Sequence, residues 1–307
     1  MRARPWRAWL GVACGVAGLL LLAGCEEENV GGVFGSSNVS ASATETFDLT
    51  VETPLSLDVE TVNGEVSVRG VPGIQTASVV VHRRSRGETL DEAQDRLDRI
   101  VVLVEAQGSE LRLAYRSSEQ ESDVRRVSSV AFEVLVPEEA RVEIETSNGA
   151  IDVVAIRGAI RLDTSNGAVD VRRSAGSLRA ETSNGRVEVV GFDGDVFVDT
   201  SNGEVWLENV VGAIDAETSN GSVRYSGVPA EAAANRLRTS NGSITARVPA
   251  DLSIAFDVRT RGGRIRSDLP LVGDTEGEDW LATLNPPATV DFELRTSNGS
   301  VRIEEAF

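Results

Sequence analysis

Three groups of side chains in this sequence are of kinds that do chemistry. The first is a series of carboxylates, Glu60, Glu145, Asp163, Glu181, Asp199 and Glu217, each directly before a threonine that opens a Thr-X-X-Gly tetrapeptide. Arg238, Arg259 and Arg295 take the same place further on. Carboxylates stacked ~4.8 Å apart can hold Ca²⁺ through oxygen ligands. Arginines such as Arg161 and Arg179 stand close by, however, and the glycine and aspartate repeats of calcium-binding solenoids are missing. A solvated, partly neutralised face is therefore expected, with no metal and no cofactor. The second group is aromatic. Phe197 and Trp206 fall at outward positions and Trp280 in an irregular segment, where exposed rings mark contacts with glycan or protein. The third is the set of serines in a recurring Thr-Ser-Asn-Gly, which have no base beside them and make poor nucleophiles. His82, the sole histidine, is isolated in VVVHRRS and reads as a strand residue. No catalytic constellation emerges.

What positions these side chains is a repeat. Thr-Ser-Asn-Gly begins at Thr146, Thr164, Thr182, Thr200, Thr218, Thr239 and Thr296, with variants TVNG at Thr61 and TRGG at Thr260. The first five copies are eighteen residues apart, and the later steps, counted through Thr260, are twenty-one, twenty-one and thirty-six. A fixed period of this size signals a repeat architecture. Framed from Arg141, apolar residues fall at positions 2, 4, 11 and 13, as at Val142, Ile144, Ile151 and Val153. Steps of two mean two short half-buried strands per repeat. The inward parity flips across Asn-Gly, two residues that tolerate positive φ and so can turn a corner. A looser apolar site at position 16, ahead of Gly158, Gly176, Gly194 and Gly212, predicts a third side.

Asn-Gly also favours hairpins. A hairpin meander would set Glu145 against Asp152 and Asp163 against Asp170 and would leave an apolar face uncovered, whereas a three-sided coil encloses its own core. A membrane barrel takes ~9 to 11 residues per strand, more than these strands hold. The expected fold is an all-β parallel β-helix (β-solenoid) of about eighteen-residue coils with one N-terminal helix. The helix is expected near residues 89–100, where Thr89-Leu-Asp-Glu92 forms a capping box and Leu90, Ala93, Leu97 and Ile100 keep helical spacing. Residues 267–290, with acids, prolines and Trp280, are expected to interrupt the ladder as a surface loop.

Residues 1–24 carry Arg2, Arg4 and Arg7, run apolar from Trp9 to Leu22, and end in small residues before Cys25. This is the layout of a secretory signal peptide, and the run is shorter than the ~20 residues of a membrane span. Leu22-Ala23-Gly24-Cys25 resembles a bacterial lipobox. That likeness implies cleavage before Cys25, its acylation with palmitate-like chains and tethering to a membrane, with Glu26 favouring the outer one. Residues 25–43 read as a flexible tether, 44–140 as an N-terminal β region with the helix, and 141–307 as the TSNG-repeat solenoid. Cys14 would leave with the signal, so the mature domain keeps no thiol for a disulfide or a metal site. The net charge is -18. Without the three signal arginines, 27 basic residues face 48 acidic ones, a balance of about -21. Such acidity argues against nucleic acid as a partner.

The lipobox signal, the helix DEAQDRLDRI within a β region and the serial TSNG coils together resemble the bacterial "putative adhesin" β-strand-repeat family, over roughly residues 44–307. The resemblance implies a parallel, right-handed β-helix at the cell envelope, facing periplasm or cell surface, and brings no catalytic residue with it. The expected function is a non-enzymatic, membrane-tethered binding or scaffold module whose partner is a glycan or an envelope protein. The alternative is a polysaccharide lyase or glycosidase on a β-helix. It would need two carboxylates ~5 to 10 Å apart in a cleft, or a base flanked by arginine, formed where the 267–290 segment covers Glu217 or Asp257.

Overall fold

The computed structural model describes residues 39–116 and 126–306, so the signal segment, Cys25 and the first part of the expected tether lie outside it. The strands form one all-β, solenoid-like stack with the helix Leu90–Asp98 beside its N-terminal end. In the centre the register is strict. Ile160 pairs with Leu178, Leu178 with Val196 and Val196 with Ile214, while beyond the corner Val169 pairs with Val187 and Val187 with Val205, all in parallel. Positions 2, 4, 11 and 13 thus stack like on like, and from Val142 to Tyr225 their side chains are fully buried. We call the strands before each Asn-Gly the leading face and those after it the trailing face.

Each residue of the tetrapeptide has a distinct task. Thr164, Thr182, Thr200 and Thr218 are buried and donate to the carbonyls of Gly149, Gly167, Gly185 and Gly203 at 2.9–3.2 Å. Each asparagine amide donates to the asparagine side chain of the neighbouring coil at 2.7–2.9 Å, from Asn148 on Asn63 to Asn298 on Asn241. A Cβ on Gly203 would stand 1.7 Å from the Gly185 carbonyl oxygen, so only glycine lets the corners stack at strand spacing. Ser165, Ser183, Ser201 and Ser219 face solvent.

The expected third side is short and continuous with the leading strand: positions 16–18 pair in parallel between coils, as Ser174 with Phe192 and Gly176 with Gly194, between positive-φ residues at positions 15 and 18. Strands Val169–Thr182 and Val187–Thr200 run from one corner to the next without a break. They turn at position 15, where Ala155, Arg173, Gly191 and Asn209 have φ of 59°, 52°, 70° and 54°, in the left-handed region. Ile156, Phe192 and Val210 at position 16 remain buried behind the bend.

Stacking order departs from chain order at both ends. The coil formed by Val290–Thr296 and Val301–Glu305 lies between those of Thr239 and Thr260. Arg295 pairs with Arg238 on one side and Arg259 on the other, and Val301 pairs with Ile244 and Ile265. The asparagine ladder accounts for this order. Asn298 bonds to Asn241, whereas TRGG has Gly262 where the next asparagine would stand, so its coil fits only the end of the row. Residues 267–290 accordingly do not interrupt the ladder. Leu271–Asp274 and Asp279–Leu284 form antiparallel strands, and the second covers the open edge of Ile254–Arg259, where unpaired backbone would otherwise face solvent.

At the other end, Leu55–Glu60 and Val66–Val71 lie against residues 140–154, and Glu110–Arg116 and Ser128–Pro137 cover their outer side in parallel. Thr76–Gly87, Val39–Thr50 and Val101–Gln107 then finish the stack antiparallel. Val39–Thr50 begins inside the stretch expected to be tether, because it pairs residue for residue with Thr76–Gly87. The helix starts at Leu90, where Thr89 accepts from the Glu92 N–H at 3.2 Å, and it buries Ala93 and Leu97. Among the described residues no helix is long and apolar enough to cross a membrane.

Candidate functional site

The carboxylates before the corner stand in one row on the leading face. Glu60 pairs with Glu145, and the row continues through Asp163, Glu181 and Asp199 to Glu217. It then changes sign, Glu217 pairing with Arg238, Arg238 with Arg295 and Arg295 with Arg259. Neighbouring arginines draw part of the charge, as where Arg179 binds Glu181. Burial, and then the charges of Asp163 and Glu60, push the Glu145 carboxyl above its ordinary range. Burial does the same to Asp58, against the pull of Arg112. Among the described residues no three His, Cys, Asp or Glu side chains converge on a metal site. At the basic end the rows interlock. Arg238 and Arg295 hold Glu293 at 2.7 and 3.1 Å, and Arg295 and Arg259 hold Asp257 at 3.2 and 3.1 Å. The hydrogen bond to Glu293 raises the Arg238 guanidinium further.

The three aromatic candidates are not brought together. Phe197 lies on the leading face with the Arg179 guanidinium 4.1 Å above its ring. Trp206 is on the trailing face, 38% exposed, with Arg224 5.7 Å from its ring. Trp280 sits on the capping strand opposite Val258, half-buried against the core. His82 lies in the strand Thr76–Gly87, with Nδ1 3.1 Å from the Thr44 hydroxyl and Nε2 3.3 Å from Glu133.

A trough that the sequence reasoning missed joins some of these parts. Position 1 of the leading face is small at Ala213, Ala234 and Ala255, leaving two hollows that meet at Ala234. One, about 300 Å³, is lined by Ser177, Asp195, Phe197, Ala213 and Asp215 among others. The other, about 570 Å³, is lined by Arg236, Ala255, Asp257, Leu281, Asp291 and Glu293 among others. Arg236 reaches Asp215 at 3.4 Å across the junction. The available signal was the recurrence of alanine at 213, 234 and 255, in steps of twenty-one. Leu281 does bring the 267–290 segment over Asp257, as the lyase reading required. Of the three carboxylates lining that hollow, Asp257 and Glu293 are each held by two arginines, while Asp291 is exposed and has no arginine partner among the described residues.

Comparison with known proteins gives a family and a set of distant folds. Residues 89–304 match the family described as Toastrack DUF4097. No curated protein matches the sequence. Among solved structures, a "putative cell adhesion protein" from Clostridium sporogenes is 11% identical, with a TM-score of 0.25, over 86% of this chain and 100% of its own. A "putative adhesin" from Bacteroides fragilis is 14% identical with a TM-score of 0.34, over 86% of this chain and 97% of its own. A "putative lipid binding protein" from Parabacteroides distasonis is 12% identical with a TM-score of 0.34, at the same coverage.

Proposed function

The chain belongs to the Toastrack DUF4097 family, and from that premise we propose a non-enzymatic envelope module that binds or scaffolds a glycan or an envelope protein. A lipid on Cys25 tethers it to the outer membrane, facing periplasm or cell surface, and its body is a right-handed β-helix of eighteen-residue coils. The observation that carries this reading is the trough. Its two hollows cross successive coils from Ser177 to Asp257, a shape suited to an extended chain. Phe197 offers a ring face at one end, alanines leave the floor open, and charged groups line the wall. Two of the three carboxylates of the larger hollow, Asp257 and Glu293, are engaged by arginine, and this supports binding over a carboxylate pair that works as acid and base.

The test is a pull-down of envelope glycan and protein fractions with the full chain in detergent, with and without chelator, assayed in parallel for polysaccharide cleavage. Retention without cleavage, unaffected by chelator and lost in Ala234→Trp, is the expected result. Cleavage products would replace this reading with the lyase or glycosidase. Cys25→Ser is expected to abolish incorporation of labelled palmitate and to release the protein from membranes.

A further inference from the structure

The last coil of the stack is rich in arginine. Arg259, Arg261, Arg264 and Arg266 fall within eight residues with no acid between them, in a chain of net charge -18. On the leading face, stacked arginines each hold a carboxylate: Arg238 and Arg295 share Glu293, Arg295 and Arg259 share Asp257, and Arg161 and Arg179 hold Glu143 and Glu181. Arg266 on the trailing face is different. It pairs in register with Arg302, about one strand spacing of ~4.8 Å away. Arg302 has only Glu304 at 3.4 Å, and no carboxylate of the described residues pairs with Arg261, Arg264 or Arg266. All four of these arginines are exposed. Like charges stacked in a sheet are unfavourable, and an anion laid across Arg266 and Arg302 would relieve the pair.

The row containing Arg266 shows how long that anion is. In register it reads Arg266, Arg302, Thr245, Arg224 and Trp206, a span of about 19 Å, with Arg224 already holding Glu204, so the free positive charge lies at Arg266 and Arg264. The row beside it is Arg264, Ser300, Ser243 and Ser222; Ser300 and Ser243 are exposed, and their hydroxyl oxygens accept from the N–H groups of Arg264 and Ser300, which leaves each hydroxyl its proton to donate. Guanidiniums pair with carboxylates or sulfates, hydroxyls bond to sugar hydroxyls, and an exposed indole stacks on a pyranose face. Beyond Trp206 the row turns acidic at Glu188, Asp170 and Asp152, which limits a polyanion to the C-terminal half. A narrow stripe on an otherwise acidic body suits a single extended chain better than a flat anionic bilayer.

We infer that the trailing face of the last coils, from Arg264 and Arg266 to Trp206, is a binding site for an anionic polysaccharide. It rests on the binding-module reading and adds a second site, on the face away from the trough. The full chain in detergent would be titrated with polygalacturonate, dextran sulfate and neutral dextran, and mixed with phosphatidylglycerol vesicles in a separate arm. The expected result is salt-sensitive binding of at least one charged polymer with none to dextran. Affinity should fall at least tenfold in the triple variant Arg264→Gln, Arg266→Gln, Arg302→Gln, and several-fold in Trp206→Ala. These side chains are exposed, and an unchanged melting temperature would show that the variants fold. Equal affinity in the triple variant, equal binding of dextran, or capture of vesicles in place of polymer would overturn the inference. If the triple variant retains envelope material as the parent does, the arginine site falls and the binding module stands. If the parent retains none, both fall.

Discussion

The coils from Thr146 to Thr218 and those of Thr239, Thr296 and Thr260 share one plan and differ in how closely they keep to it. In the centre every step is eighteen residues, and every threonine, asparagine and glycine meets its like above and below. At the C-terminal end the steps lengthen, the charge row changes sign, asparagine gives way to Gly262, and alanines open the trough. An interior coil must satisfy two neighbours at once, so a change in it is felt twice. The Thr260 coil, last in the row, answers to one neighbour of its own kind, and there glycine can stand in place of asparagine. Both surfaces proposed to bind draw on this loosened end.

The sharpest way to break that contrast is at the corner glycines. Gly203→Ala is expected to cost about 3 kcal/mol or more, since its Cβ would meet backbone at 1.7 Å on a packed coil. Gly262→Ala, whose nearest neighbour is 3.5 Å away, is expected to stay within about 0.5 kcal/mol. Urea unfolding of both would show whether the centre is the stricter half, and equal losses would refute it. Next come the threonines. Thr200→Val removes one buried bond, to Gly185, and is expected to cost about 1 kcal/mol. Thr260→Val removes two, to the Gly299 carbonyl at 2.8 Å and from the Gly263 N–H at 3.1 Å, and is expected to cost about 2 kcal/mol. A smaller effect of opposite sign comes from Gly262→Asn. The new amide would reach the Asn298 side chain and extend the ladder, for a gain of about 0.5 kcal/mol in the same unfolding curves. No gain would mean that the ladder does not set the order of the coils.

The smallest effects are in pH dependence and have opposite signs in the two regions. Glu145 has a raised pKa when folded, so the folded state binds its proton more tightly and stability falls as pH rises through its range. Glu145→Gln should therefore stabilise at pH 7 and have no effect well below the ordinary carboxylate range. Glu304 is lowered by its bond to Arg247, and so contributes stability above its unfolded value that is lost as pH falls through the folded one. Glu304→Gln should destabilise at pH 7 and be neutral in strong acid. Melting temperatures from pH 3 to 7 would separate the two, and curves of the same slope would break the assignment.

The central coils were legible because a parity change across Asn-Gly, repeated at a fixed period, fits a corner with the core on its inside, and a meander would leave an apolar face uncovered. The carboxylate row followed from the same frame, as did the capping box of the helix. The bend at position 15 was hidden because Ala155, Arg173, Gly191 and Asn209 share a backbone conformation and no side-chain type. The order of the coils was hidden because a period counts residues along the chain and says nothing of which neighbour a coil chooses. The capping strands around Trp280 were hidden for a related reason. Their purpose is to cover an edge, and the edge exists only once the order is known. The trough lay in the absence of side chains at Ala213, Ala234 and Ala255, which apolar patterning does not register.

The interposed position of Val290–Glu305 matters for how the protein is made. The segment that joins the Thr239 coil to the Thr260 coil leaves a ribosome or an export channel after both of them, so the outer coil and its capping strands must wait, undocked, for residues not yet delivered. A chain ending before Val290 would lose the mount for everything outside it as well as one coil. A stop before Val290 would leave an open edge for quality-control proteases to find.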